Sequence, residues 1–365
     1  MKGMDAEKAK TKSEDVREKI IQIIEEGGAI PFSRFMEICL TAREISFLLE
    51  VSYSTRFLDS FAKSFAIAAE EMLGLCEGNS IYDFGITNYG FVKRVAKLMS
   101  DVDYYLVNHR YLAFNWRDLP ENVHIIDEAE ISDVRGIMIS NKLVSMLPFH
   151  IVLRDEREPK EIYVAYKNGE FTEMPVELQN EGLRAYLERV EDPRSRVEIC
   201  LEAMKFVKSL GKRLSKGFVV ISDYLSDPME MADAERASGT ITCYDNTTHT
   251  HNPFLMPGKL IIRASVNISG LVEYGEDVGL RVAGLTNHLH LMKSTIGLVD
   301  EFSVELEKIS GSKYRDSKLG TVKILIQQKE IRNPILKCLK LVPQFGFWEK
   351  YNYPSKDDLE ILPEG

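Results

Sequence analysis

Residues 81–99 read IYDFGITNYGFVKRVAKLM, and the reading of the fold turns on this stretch. A short run of β-branched and aromatic residues ends at Asp83. A loop carrying Gly85, Asn88 and Gly90 follows, and then an apolar repeat at helical spacing. Strand, glycine-bearing turn and helix N-terminus in that order predict a βα unit. Such a unit can cradle a nucleotide-like ligand, because helix N–H groups attract polar or anionic groups and Gly lets the backbone come close. Two glycines five apart are not the GxGxxG of a dinucleotide fold, and a tightly packed βα turn needs no ligand to explain it.

Similar apolar runs flank this unit: YYLVN at 104–108, VHIID at 123–127, GIMISN at 136–141, FHIVLR at 149–154 and GFVVISDY at 217–224. Their alternation with helical stretches predicts an α/β fold with a mainly parallel sheet. Before them lies a helical segment over residues 1–77. It comprises a helix over 13–26 with Ser13 as N-cap, a second opened by Pro31, and a third from Thr55 to Leu75 whose Phe-rich face reads as core. Residues 78–154 form the first part of the core. Residues 155–216 are an insertion: a hairpin turning at Asn168-Gly169, then helices near 180–190 and 195–214. Residues 217–330 complete the core with β-rich pieces, GTITCYD, KLIIRASVNI, LRVAGLT and TVKILIQQK, around a helix over 286–309. Residues 331–365 are a tail.

The chain has 365 residues, 44% of them hydrophobic, enough to build a sizeable core. Its 46 Lys and Arg against 56 Asp and Glu give a net charge of -10, which argues against general nucleic-acid binding. No apolar run reaches the roughly 20 residues that span a bilayer, and the N-terminus does not read as a secretory signal. Five scattered cysteines form no CxxC pair and suggest a reducing cytoplasm. Two His-x-His pairs, His249/His251 and His288/His290, lack an accompanying acid cage, so no metal site is expected. There is no GxSxG, no Cys beside a His and no P-loop.

Taken in order, several segments resemble the MidA-like family of S-adenosylmethionine (SAM)-dependent methyltransferases, which includes a mitochondrial arginine methyltransferase of complex I assembly. They are GAIPFSRFMEICL, YDFGITNYG, GIMISNKLVSMLP, GFVVISDY, GTITCYDNTTHTHNPFLMPG, GLRVAGLTNHLHLMKSTIGL and LGTVKILIQQK, spanning about residues 28–330. The resemblance implies a class I methyltransferase-like (Rossmann-like) sheet and SAM as cofactor. It implies a cofactor site made of Asp83, Gly85, Asn88, Gly90, Asn108, Asp127 and Asn141. Asp127 or Glu128 would meet the adenine edge, and Asp223 would be the surviving catalytic acid. It also implies a protein side chain as substrate, entering between the sheet and residues 240–267.

The departures from the family pattern matter equally. Asn108 stands where the family has a ribose-binding acid, Lys142 for Glu and Ser145 for Asp. Ile261, Ser265 and Asn267 replace Asp, His and Asp. Methylating an arginine requires loss of a guanidinium proton, which acids orient and carry away. Their replacement argues against arginine as the target. It leaves open a catalytically silent relative serving as an interaction or assembly factor and, more distantly, a nucleotide-binding protein of another class.

Overall fold

The computed structural model describes residues 16–42, 55–85, 88–108, 118–154, 158–232, 238–245, 247–297 and 322–339. The expected N-cap Ser13 lies outside them. Helix α1 covers residues 16–27, β1 is Ile30–Pro31 and α2 is Phe32–Leu40. Helix α3, Thr55–Cys76, precedes β2, Ser80–Asp83, and α4, Tyr89–Leu98. Then come β3 (Asp103–Asn108), β4 (Val123–Asp127), β5 (Val134–Asn141) and β6 (His150–Leu153). The hairpin β7 (Lys160–Lys167) and β8 (Glu170–Glu177) leads to α5 (Glu181–Arg189), β9 (Arg196–Ile199) and α6 (Leu201–Arg213). Strands β10 (Leu214–Asp223) and β11 (Leu225–Ser226) are followed by the single turn α7 (Pro228–Met231). Next are β12 (Thr242–Tyr244), β13 (His249–Thr250), β14 (Ile261–Arg263), β15 (Val266–Asn267) and α8 (Ile268–Glu276). Strand β16 (Arg281–Asn287), α9 (His288–Ile296) and β17 (Lys323–Lys329) complete the core.

The main sheet has seven strands in the order β16-β17-β10-β5-β2-β3-β4. β10, β5, β2, β3 and β4 pair in parallel, while β17 runs antiparallel to both β10 and β16. This is the class I methyltransferase-like sheet expected from the sequence. The chain steps outward from β2 through β3 to β4, then returns to the other side of β2 as β5. That reversal makes a topological switch point, where ligands of open α/β sheets bind beyond the strand carboxyl ends.

Strand alternation divides the core between the two faces. Ile137, Ile139, Phe218 and Val220 pack with α3, α4 and α9, whereas Met138, Val219 and Ile221 pack with α6, α8 and the inserted sheet. The N-terminal segment is likewise split. Helix α3 lies on the main sheet, while α1 and α2 belong to the core of a second sheet in which β1 pairs with β7.

Four expectations are corrected. The 149–154 strand is not in the parallel sheet, because β6 pairs antiparallel with β7 and β9 in the second sheet. The helix expected over 195–214 starts at Leu201, since Arg196–Ile199 is spent on pairing with β6. KLIIRASVNI holds two short strands, and a helix begins at Ile268, capped by the Asn267 side chain accepting from Ser269 N at 2.9 Å. The helix expected to run to 309 stops at Ile296, where Gly297 takes a left-handed φ of 64°. The Asn168-Gly169 hairpin stands, with φ of 53° and 87° at its two central residues.

Gly217 has φ 148°, and a Cβ there would lie 1.9 Å from the Gly136 carbonyl oxygen on β5. Gly217→Ala should therefore lower unfolding free energy by about 3 kcal/mol or more. Gly74→Ala, in α3 with nothing within 4 Å, should raise it by up to about 1 kcal/mol. Urea denaturation of both variants checks the pair.

Candidate functional site at the switch point

The loop after β2 is shaped from inside. The buried Asp83 carboxylate accepts from the Tyr104 hydroxyl at 2.7 Å and from Gly85 N at 2.9 Å. Burial, with the Asp83 charge second, pushes the Tyr104 phenol well above its usual range, so it stays a donor. Gly85 passes directly over the end of β5, and a Cβ on it would sit 2.2 Å from Asn141 N. Asn88 caps α4, its Oδ1 accepting from Phe91 N at 3.3 Å. Gly90 lies inside the first turn of α4, not in the loop, and faces Leu58 and Arg94. The Tyr89 hydroxyl donates to the Asp118 carbonyl at 2.9 Å, in the segment before β4.

Asn108 and Asp127 end adjacent strands and are directly paired in register. The Asn108 amide donates to Asp127 Oδ1 at 2.7 Å, and both side chains are exposed. On the other side of β2, Asn141 ends β5. Its Oδ1 is buried without a hydrogen-bond partner and borders a cavity of about 40 Å³ walled by Phe61, Phe65, Phe91 and Val220. A buried orphan acceptor costs roughly 1–3 kcal/mol, so a donor from a ligand is favoured there.

Beyond Asn141 the floor turns ionic. Lys142 adopts a left-handed φ of 53°, and its N–H donates to the Ser222 carbonyl at 2.8 Å. Burial lowers the pKa of its half-buried side chain, with Asp223 and Tyr224 opposing and Arg263 assisting. Asp223, at the end of β10, is fully buried and accepts from Ser145 N at 3.1 Å and Tyr224 N at 2.8 Å. Burial raises its pKa against those hydrogen bonds and the Arg263 charge. The Arg263 guanidinium lies 3.4 Å from the centroid of the Tyr224 ring and 5.5 Å from that of Tyr244.

Beneath this floor the Ser222 hydroxyl and His288 Nε2 are 2.9 Å apart, with Phe61 against the imidazole at 4.4 Å between centroids. Burial, with the Lys142 charge second, pushes His288 down to about 3, so it is neutral at pH 7.

The expected residues thus fall into three groups. Asp83, Gly85 and Asn141 meet at the switch point with Asp223 at the end of β10 beyond β5, Asn108 pairs with Asp127, and Asn88 and Gly90 belong to the start of α4. Ser145 and Asn267, at family acid positions, serve backbone roles: Ser145 N binds Asp223, and Asn267 caps α8. The sequence reading did not anticipate Arg263, Tyr224, Tyr244 or the Ser222–His288 pair as site components. Tyr224 was adjacent to a recognised motif, whereas only the pairing of β12 with β14 brings Arg263 beside Tyr244. His249 and His251 have rings 5.7 Å apart, but among the described residues no group of three or more His, Cys, Asp or Glu side chains could hold a metal ion.

Residues 87–286, more than half the chain, match the family described as "Putative S-adenosyl-L-methionine-dependent methyltransferase". No protein of curated function matches the chain. An uncharacterized Burkholderia thailandensis protein is 19% identical, with TM-score 0.75, over 93% of this chain and 98% of its own. A second structure from Burkholderia thailandensis, bound to S-adenosyl-homocysteine, is 20% identical, with TM-score 0.73, over the same shares of 93% and 98%. At these identities the likeness is one of fold. The chain belongs to the SAM-dependent methyltransferase family matched here, in agreement with its MidA-like sequence segments, and the cofactor of that family is SAM.

The buried neutral imidazole makes stability pH-dependent. With a folded pKa of about 3 against an ordinary 6.5, the unfolded chain binds more protons between those values. Stability is complete above pH 6.5 and falls as the pH drops toward 3, by at most about 1.4 kcal/mol per pH unit. In urea denaturation at pH 7 and pH 5, His288→Phe should show a smaller loss on acidification than the wild type.

Proposed function

We propose that this protein binds SAM over the carboxyl ends of β2, β3 and β5 and transfers its methyl group to a protein side chain. The observation that carries the reading is the switch point itself. Gly85 lies against Asn141, and the Asn141 amide oxygen is left buried and unpartnered beside it. These residues fit the cofactor. Asp83 holds the loop through Gly85 N, Asn88 and Gly90 set the start of α4, and Asn108 with Asp127 offers acceptors for the ribose hydroxyls. Asn141 would accept from the amino-acid end. When bound, SAM supplies an electrophilic methyl group on a sulfonium, transferred by direct displacement, so positioning dominates. Asp223 acts by fixing the floor, through Ser145 N and Tyr224 N.

Residues 78–154, whose last strand β6 joins the inserted sheet, and 217–330 would form the cofactor-binding core, with 240–267 as its substrate-side segment and 155–216 as the insertion. No helix among the described residues is long and apolar enough to cross a membrane. The five cysteines, all free and buried, support action in the reducing cytoplasm.

A second reading, a silent relative acting as a protein-interaction or assembly factor, is favoured by Lys142, Ser145, Ile261, Ser265 and Asn267, which stand where the family pattern has acids or a histidine. Calorimetric titration separates the two. SAM and S-adenosylhomocysteine should bind saturably, with ATP and NAD as non-binding controls. Gly85→Val should abolish binding. Asp127→Asn should weaken it about tenfold, equivalent to roughly 1.4 kcal/mol. No binding at millimolar ligand establishes the silent reading instead.

A further inference from the structure

We propose that the face of β2, β3 and β4 opposite α4 is a docking surface for a basic segment of another protein, held by arginine side chains stacked on a row of rings. The proposal goes beyond the methyltransferase reading and does not depend on it, because the surface lies on the sheet face and not at the strand carboxyl ends.

Register sets the row. Tyr82 pairs with Tyr105 and Tyr105 with His124, so three rings on adjacent strands share one face. The Tyr82 and Tyr105 rings are 4.7 Å apart between centroids and 12° from parallel, and His124 follows at 5.3 Å. Inward, the row ends at Met138 of β5, which is fully buried. Outward it opens: Tyr82 and Tyr105 are half-buried, and the His124 side chain is 45% exposed. Val107 and Ile126, paired in the next row but one, are half-buried too. The other face of β3 is closed, with Tyr104 and Leu106 buried in the core that includes α4. The cause is a short connection. A right-handed crossover from β4 back to β5 passes over the ring face, and a doubly wound sheet places a covering helix there. Here that connection holds a single turn, Glu128–Glu130, with no buried residue.

The surrounding charge selects the occupant. The described residues of 101–134 include eight Asp and Glu and neither Lys nor Arg. Of these acids, Glu128 is ion-paired with Arg213 at 3.2 Å. Asp103 lies 3.5 Å from His124 Nε2 with its side chain 52% exposed, and it shares the face of Tyr105 two residues along. A second copy of this chain would bring acid against acid at this edge, and nucleic acid or an anionic membrane would be repelled. The edge of β4 is also a poor template for strand addition. Val123 N–H already donates to the Pro120 carbonyl at 3.0 Å, and Asp127 N–H to Glu130 Oε1 at 3.0 Å. Recognition therefore falls to the side chains of the face. A guanidinium suits them, since its plane stacks on tyrosine rings while its N–H groups bond carboxylates at their border.

The test titrates two pentapeptides calorimetrically into the full-length protein. Each alternates threonine with a charged residue, arginine in one and glutamate in the other, and both ends are blocked. The arginine peptide should bind saturably, about tenfold or more tighter than the glutamate peptide, and should weaken as salt is raised. Tyr105→Ala should weaken it about fivefold, while Tyr105→Phe keeps it within about twofold, because a ring is required and a hydroxyl is not. Asp103→Asn should weaken it about threefold, whereas Glu188→Gln, at an exposed acid on α5, should leave it unchanged. Circular dichroism shows which variants fold; if Tyr105→Ala does not, Asp103→Asn against Glu188→Gln decides. Absence of arginine-peptide binding overturns the proposal. So does binding unchanged in folded Tyr105→Ala or in Asp103→Asn, or equal weakening by Glu188→Gln, which reduces the attraction to net charge. A dimer in sedimentation that Tyr105→Ala dissociates assigns the face to a second copy and overturns it as well.

Discussion

The site depends on one steric contact, the passage of the Gly85 backbone over the end of β5. A Cβ at Gly85 would lie 2.2 Å from Asn141 N and 2.8 Å from Asn141 O, so no larger residue fits without moving a central strand. That contact closes the loop after β2 onto its neighbour across the point where strand order reverses. Asp83 holds the loop from below, through Gly85 N on one oxygen and Tyr104 on the other. The tyrosine comes from the amino-terminal part of β3, so the carboxyl end of β2 is tied to β3 by a side-chain hydrogen bond and to β5 by one absent side chain. A buried carboxylate is costly unless its lone pairs are used, and here they are used to set backbone geometry.

The second buried carboxylate, Asp223, does the same on the far side. It binds Ser145 N and Tyr224 N, so the turns after β5 and β10 are held to one another. Arg263 supplies a countercharge while stacking on Tyr224, which lowers the cost of burying its guanidinium. Lys142 lies at the junction, its left-handed backbone fixed by its N–H bond to the Ser222 carbonyl. Strain and buried charge are thus concentrated where β5 and β10 end, which is where functional sites tend to store them.

The parallel strands could be read from sequence because strands covered on both faces are nearly continuous apolar runs, as in GIMISN and GFVVISDY. Where local pattern and tertiary pairing disagreed, the reading failed. RVEI at 196–199 continues without a break into the helix of α6, and only pairing with β6 makes it a strand. ISGLVEYGE, with two glycines and β-branched residues, has a weak helical signature. It becomes α8 because Asn267 caps it and its apolar side packs on α6. Site residues divide the same way. Asp83, Gly85 and Asn141 stand at fixed offsets from recognisable strands, whereas Arg263 is separated from Tyr224 by 39 positions and comes near it through the pairing of β11 with β15 and the Val266 N–H bond to the Tyr224 carbonyl, which no periodicity reveals.

The register of β3 on β4 explains why an amide at 108 need not mean a lost binding group. Asn108 and Asp127 are direct partners at the sheet edge. Two carboxylates in such a pair would repel one another across adjacent strands. With an amide at 108, repulsion becomes a 2.7 Å hydrogen bond from Asn108 Nδ2 to Asp127 Oδ1. A negative charge therefore stands at the strand ends on Asp127, oriented by the Asn108 amide. The amide oxygen and the second carboxylate oxygen keep acceptor capacity on the exposed side. Read as a cross-strand pair, Asn108 orients the one carboxylate, Asp127, that these two strand ends carry.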